Sequence, residues 1–107
     1  MENVTADEVA EMKKEDDENL VIVDVLGEEY YEKEHVPGAI NIPFEDIASE
    51  ALKRFDKDQR IIVYCKNKAC TASPAAAEKL DDLGFEHVYD FDLGLQGWKD
   101  SGREVEN

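Results

Sequence analysis

Two cysteines stand five residues apart in the string Cys65-Lys66-Asn67-Lys68-Ala69-Cys70-Thr71, directly after the apolar run Ile61-Ile62-Val63-Tyr64. A thiol placed there can act as a nucleophile. A loop between a strand and a helix turns backbone N–H groups inward and adds the positive end of the helix dipole. Those donors stabilise an anion or a thiolate, and Lys66 and Lys68 add two full positive charges beside the sulfur. The distribution of acids fits this chemistry. Residues 59–77 hold three cations (Arg60, Lys66, Lys68) and no Asp or Glu, while the rest of the chain holds all 27 acids. Acids more than about 10 Å away are largely screened at moderate salt, so the local field should govern at the sulfur. Buried strands and alanine-rich helix turns lack acids in any protein, which accounts for part of the same gap. In a reducing compartment a close cysteine pair is more often catalytic, redox-active or metal-binding than a structural staple. Structural zinc takes about four ligands, often as two close pairs. Only His35 and His87 could join the cysteines, at no finger-like spacing.

The elements around the cysteines alternate between strand and helix. Thr5-Ala6-Asp7-Glu8 is a capping-box signature. The helix behind it runs to about residue 16 and ends in the charged run 13–19, a solvated helix end. Leu20-Val21-Ile22-Val23-Asp24-Val25-Leu26 is a nearly continuous apolar run, as expected of a strand buried on both faces. Residues 28–33 form a short helix after Gly27. Pro37-Gly38 makes a turn before a short strand over 39–42, closed by Pro43. Phe44, Ile47, Leu52 and Phe55 recur at helical spacing. Arg60 introduces the strand that ends at Cys65. Ser73-Pro74 signals a helix start with a hydroxyl cap, and Gly84 stops that helix. A strand over 87–91 and a last helix over 95–101, carrying Trp98 as a core aromatic, complete the chain. Strands alternating with helices predict an α/β fold with a mostly parallel sheet. In such folds ligands sit beyond the carboxyl ends of the strands, where Cys65 falls.

Composition narrows the function. The 107 residues point to one domain over 1–107, long enough to form a core without staples. A hydrophobic content of 42% argues against disorder. Twelve Lys plus Arg against 27 Asp plus Glu leave a net charge of −15, which argues against nucleic-acid and anionic-membrane partners. No apolar run approaches the roughly 20 residues of a membrane span. The acidic first residues lack the basic and apolar regions of a secretory signal, so a soluble cytoplasmic protein is expected.

Several strings together resemble the rhodanese family. They are Val23-Asp24-Val25, Glu28-Glu29-Tyr30, the stretch Glu34-His35-Val36-Pro37-Gly38-Ala39-Ile40-Asn41-Ile42-Pro43, Ile62-Val63-Tyr64-Cys65, Gly84-Phe85 with Val88-Tyr89, and Gly94-Leu95-Gln96-Gly97-Trp98-Lys99-Asp100-Ser101-Gly102. The resemblance implies a three-layer α/β/α domain with a five-stranded, mostly parallel sheet. It also implies sulfurtransferase chemistry: Cys65 would take a sulfane sulfur from thiosulfate or a persulfide-bearing donor, hold it as a persulfide, and pass it to cyanide, a thiol or a protein cysteine. The loop Lys66, Asn67, Lys68, Ala69, Cys70 and Thr71 would hold the transferred sulfur with its amides, and no metal or organic cofactor is implied. Such a covalent route splits one transfer into two easier displacements. His35 matches an element that is mainly structural in the family, and Asp24 a strand-end position of the same kind.

The chain also departs from the family's pattern. Leu26 stands where many members carry Arg, Glu34 replaces a Gly, and the loop lacks both the Gly and the Arg of many members. Rhodanese-fold phosphatases and arsenate reductases grip an oxyanion with an Arg six residues after the cysteine. Thr71 stands at that position here, and no Arg occurs between Arg60 and Arg103, so this chemistry lacks its clamp. Cys70, in place of the loop Arg, reads either as a small apolar plug at the helix start or as a resolving thiol that attacks a modified Cys65. The second reading needs the two Cα atoms within about 7 Å. A non-catalytic interaction or thiol-redox-sensing module using Cys65 and Cys70 is the alternative function.

Overall fold

Three apolar runs pair side by side at the centre of the molecule, and their register decides what stands at each strand end. The computed structural model describes residues 1–15 and 18–107. Its elements are β1 (Glu2–Asn3), α1 (Ala6–Glu15), β2 (Leu20–Asp24), α2 (Glu28–Lys33), β3 (Ile40–Asn41), a 3-10 turn (Phe44–Asp46) leading into α3 (Ile47–Arg54), β4 (Arg60–Tyr64), α4 (Ala72–Asp82), β5 (His87–Phe91) and α5 (Gly94–Asp100). The expected end of the first helix at about residue 16, and part of the charged run 13–19, lie outside the described residues. The five strands form one sheet in the order β1-β5-β4-β2-β3, with every pairing parallel. In register, Asp24 stands beside Tyr64 and Tyr64 beside Phe91. Three strands therefore finish at one level, and the cysteine loop leaves from their centre.

Side-chain alternation divides the core into two layers. Ile61 and Val63 pack with Ile47 and Ala51 of α3 and Ala76, Ala77 and Leu80 of α4. Ile62, Tyr64 and Phe91 pack on the other face with Val9 and Met12 of α1 and Leu95 and Trp98 of α5. Both faces of the central strands are thus covered, as their unbroken apolar runs require. The arrangement is the expected three-layer α/β/α fold. Among the described residues no helix is long and apolar enough to cross a membrane.

Local signals hold at several ends and fail at others. Thr5 and Glu8 form the reciprocal capping box: the Thr5 amide donates to Glu8 Oε1 (3.0 Å) and the Glu8 amide to Thr5 Oγ1 (3.1 Å). β2 stops at Asp24 rather than running to Leu26, because Asp24 Oδ1 accepts from the Leu26 amide and turns the chain. β1 has only two residues and no apolar pattern, which is why its sequence carries no strand signal; it is one edge of the sheet, beside β5.

Two sets of bonds tie α5 in place. At its start the amides of Leu95 and Gln96 donate to the carbonyls of Cys65 and Lys66, each at 2.9 Å. Beyond its end Trp98 Nε1 donates to the Glu104 carbonyl, and Glu106 forms a two-way backbone bridge with His35. The approach to the cysteine loop is close enough to demand glycine. Gly94 has φ +64°, and a Cβ there would lie 2.4 Å from the Cys65 carbonyl oxygen. Gly94→Ala is expected to destabilise the fold by about 1–3 kcal/mol, read as a lower midpoint in urea unfolding. An unchanged midpoint would show that the contact relaxes freely.

Candidate active site

Cys65 follows directly on β4 and is buried, while the Lys66 and Lys68 side chains beside it are exposed. Asn67 shapes the loop between them. Its Oδ1 accepts from the Ala69 amide (3.0 Å) and its carbonyl from the Cys70 amide (3.1 Å), which folds residue 70 back toward residue 65. The Cα atoms of Cys65 and Cys70 stand 6.5 Å apart, within reach of a disulfide, and the two sulfurs are bonded in this structure. The structure therefore brings the seven residues 65–71 together as one turn at the carboxyl edge of the sheet. It uses the Ala69 and Cys70 amides inside the loop. Among the described residues only glycines have positive φ, and residues 65–71 contain none, so the loop folds without a left-handed residue. The close approach falls on Gly94 instead, across from the loop.

The helix behind the loop departs from its sequence signal. α4 begins at Ala72, with Thr71 in the cap position making no side-chain capping bond. Ser73 is inside the first turn, and its hydroxyl donates to the carboxyl of Asp90 on β5. Asp90 is buried, and burial raises its pKa, with the Ser73 hydroxyl opposing the rise and Asp92 adding to it. A desolvated carboxyl needs a donor more than a helix end does, since the end can turn to water. Pro74 has no N–H, and at the third helical position it wastes no intrahelical bond. The first turn of α4 holds no acid, so its positive end faces the loop unopposed from within the helix.

A cavity of about 480 Å³ opens beside the loop, bounded by Asn67, Lys68, Leu93, Gln96, Asp7 and Asp100 among others. Two acids remote in sequence thus reach the rim of a segment that has none of its own. Asp7 pairs with Arg103 (3.0 Å), and Asp100 accepts from Gln96 Nε2 (2.9 Å). The rim residues of α5 were not among the expected site residues. The only sequence signal for them is the string Gly94-Leu95-Gln96-Gly97-Trp98, whose glycines mark close backbone approach. His35 makes structural contacts: Nδ1 bonds to the Tyr31 carbonyl (2.8 Å), and its ring stacks on Tyr31.

Asp24 occupies the end of β2 on the other face of the sheet. It is fully buried; Oδ1 accepts from Leu26, and Oδ2 has no hydrogen-bond partner among the described residues. Leu26 supplies a backbone amide and no charge. Burial raises the Asp24 pKa, opposed by the Leu26 amide, the adjacent Tyr64 hydroxyl and His35. The Tyr64 hydroxyl accepts from the Val36 amide (3.0 Å), and its own pKa is raised, first by burial and then by the Asp24 charge. Because the folded state favours neutral Asp24, its carboxylate weighs against folding once pH climbs through the raised value. Asp24→Asn keeps the oxygen that accepts from Leu26 and carries no charge at any pH. Its stability relative to the native protein is expected to be constant below about pH 4 and to climb as pH rises. A difference that falls with pH in paired urea titrations would show that the carboxylate is held by charge instead.

Comparison with known proteins places this geometry. The family model described as the rhodanese-like domain matches residues 5–101. The chain is 32% identical over 88 residues to thiosulfate sulfurtransferase GlpE of Coxiella burnetii, covering 82% of this chain and 77% of that protein. It is 36% identical over 87 residues to an HTH-type transcriptional regulator of Mycobacterium tuberculosis, covering 81% of this chain but spanning only 38% of the regulator. The crystal structure of BH2092 protein from Bacillus halodurans superposes with a TM-score of 0.89 at 33% identity, over 99% of this chain and 77% of that one. With a parallel sheet in the order described, a cysteine loop at its carboxyl edge and a family match over nearly its whole length, the chain belongs to the rhodanese-like domain family.

Proposed function

We infer that the protein is a cytoplasmic sulfurtransferase that carries sulfane sulfur as a persulfide on Cys65. The observation that carries this reading is the cysteine at the end of β4, in a loop that leads into the acid-free first turn of α4 with Lys66 and Lys68 at its surface. The reduced thiolate of Cys65 attacks the outer sulfur of thiosulfate, and the S–S bond breaks to release sulfite. The persulfide is then attacked at its outer sulfur by cyanide, a small thiol or a protein cysteine, which regenerates the thiolate. Neither displacement calls for a metal or an organic cofactor. The loop amides other than those of Ala69 and Cys70, the helix terminus and the two lysines favour the anionic persulfide over its neutral form. Relatives named thiosulfate sulfurtransferase support the donor class.

A thiol-redox-sensing module is the second reading, favoured by the bond between Cys65 and Cys70 and by the likeness to part of a transcriptional regulator. The two readings part on sulfur uptake, which a pure sensor of thiol oxidation does not show.

With protein reduced beforehand, thiocyanate formation from thiosulfate and cyanide is expected, and Cys65→Ser should abolish it. Full activity in that variant would end this reading. The double substitution Lys66→Gln with Lys68→Gln is expected to lower kcat/KM for thiosulfate roughly 2–10-fold at low salt. The gap should close as salt rises, because the effect is screened charge; a salt-independent loss would point to a packing defect.

A further inference from the structure

The proposed carrier cycle uses one sulfur nucleophile, yet the loop positions two. Cys70 is half-buried against the same core that covers Cys65, at the point where the Asn67 turn folds the chain back. On the other side the Leu95 and Gln96 amides fix the Cys65 and Lys66 carbonyls. The backbone of residue 65 is thus held by α5 and that of residue 70 by the turn, with their Cα atoms 6.5 Å apart and their sulfurs bonded. Besides packing against the core, Cys70 thus directs its sulfur at the nucleophile.

We propose that Cys70 is a second catalytic residue, which resolves the Cys65 persulfide by attacking Cys65 Sγ and releases the carried sulfur as sulfide. This activity rests on Cys65 being the sulfur carrier, and it adds a second fate for the same intermediate. The Cys70 thiol gives up its proton and its thiolate sulfur attacks the inner sulfur of the Cys65–S–SH group. A Cys65–Cys70 disulfide forms, the bond to the outer sulfur breaks, and that sulfur leaves with the bonding pair as hydrosulfide. The two electrons that reduce it come from the Cys65–Cys70 pair, so a single turnover takes no outside reductant. A dithiol reductant reopens the disulfide for the next turnover. Lys66 and Lys68, in the same loop, favour a departing anion. An intramolecular thiol acts at an effective concentration in the millimolar range or above. Only acceptors that are concentrated or docked at the loop then capture the sulfur before it is reduced.

The experiment is a single turnover without oxygen. Reduced, desalted native protein, Cys70→Ser, Cys70→Ala and Cys65→Ser are mixed with thiosulfate and no acceptor. Sulfite and sulfide are quantified, and intact masses are followed. Circular dichroism checks that each variant is folded. The native protein is expected to release one equivalent each of sulfite and sulfide and to end two hydrogens lighter. Both Cys70 variants are expected to release sulfite, retain the mass of one added sulfur and yield no sulfide, with a persulfide lifetime at least about tenfold longer than in the native protein. Cys65→Ser should do neither. A native persulfide as long-lived as that of the Cys70 variants overturns the proposal, as does a persulfide mapped to Cys70 with no sulfide released. If no protein releases sulfite or gains sulfur, the carrier reading itself fails and the role of Cys70 falls with it, a result distinct from a stable native persulfide.

Discussion

Two hydrogen bonds from the first turn of α5, to the carbonyls of Cys65 and Lys66, hold the rest of the site in register. A loop leaving a parallel sheet at its carboxyl edge has its backbone polar groups exposed to solvent on one side and to a core on the other. Something must accept or supply bonds at the buried side. Here a neighbouring helix does so, and it approaches so closely that only a glycine fits at Gly94. The direction in which the Cys65 carbonyl points is therefore set by an element thirty residues away in sequence, and so is the orientation of the loop that follows.

The same constraint explains how the loop folds without a glycine of its own. A glycine inside such a loop relieves crowding where backbones meet; in this chain the crowding is relieved on the partner side of the contact. No arginine lies in the loop, and the sulfur of Cys70 turns inward to Cys65 rather than outward to an anion. Charge at the site comes from exposed lysines and a helix terminus, and two acids from α1 and α5 share its rim. The result is a moderately polarised pocket rather than an oxyanion clamp.

Much of this was readable from the residues. The runs at 20–26, 61–64 and 87–91 announced the three central strands, the first overreaching by two residues, and Thr5 with Glu8 announced the first helix, because buried strands and capping boxes are local signals. The cysteine loop was legible for the same reason. What could not be read was set by contacts between distant segments. Ser73 resembled a cap because hydroxyls usually bond locally, and only the fold brings it beside the buried Asp90. Glu2–Asn3 became a strand only because β5 offered an edge. Leu93, Gln96 and Asp100 reached the loop through packing of α5, for which the sequence offered glycines and no chemistry. The use of the Ala69 amide within the turn likewise followed from the Asn67 side chain, and that of the Cys70 amide from the Asn67 carbonyl, details of local geometry rather than of residue pattern.

The bridge between His35 and Glu106 bears on how this domain can be cut and moved. The family match ends at residue 101, yet the segment beyond it returns across the molecule. There Glu104 accepts from Trp98 and Glu106 pairs with the turn before β3. That tail is the strap on the far end of α5, the helix whose near end holds the cysteine loop. A graft or fusion that trimmed the domain at the family boundary would keep every residue of the loop and release one of the two anchors of the helix that aims it. For protein engineering, the strap at residues 104–106 lies beyond the family match, so a cut at residue 101 would remove it.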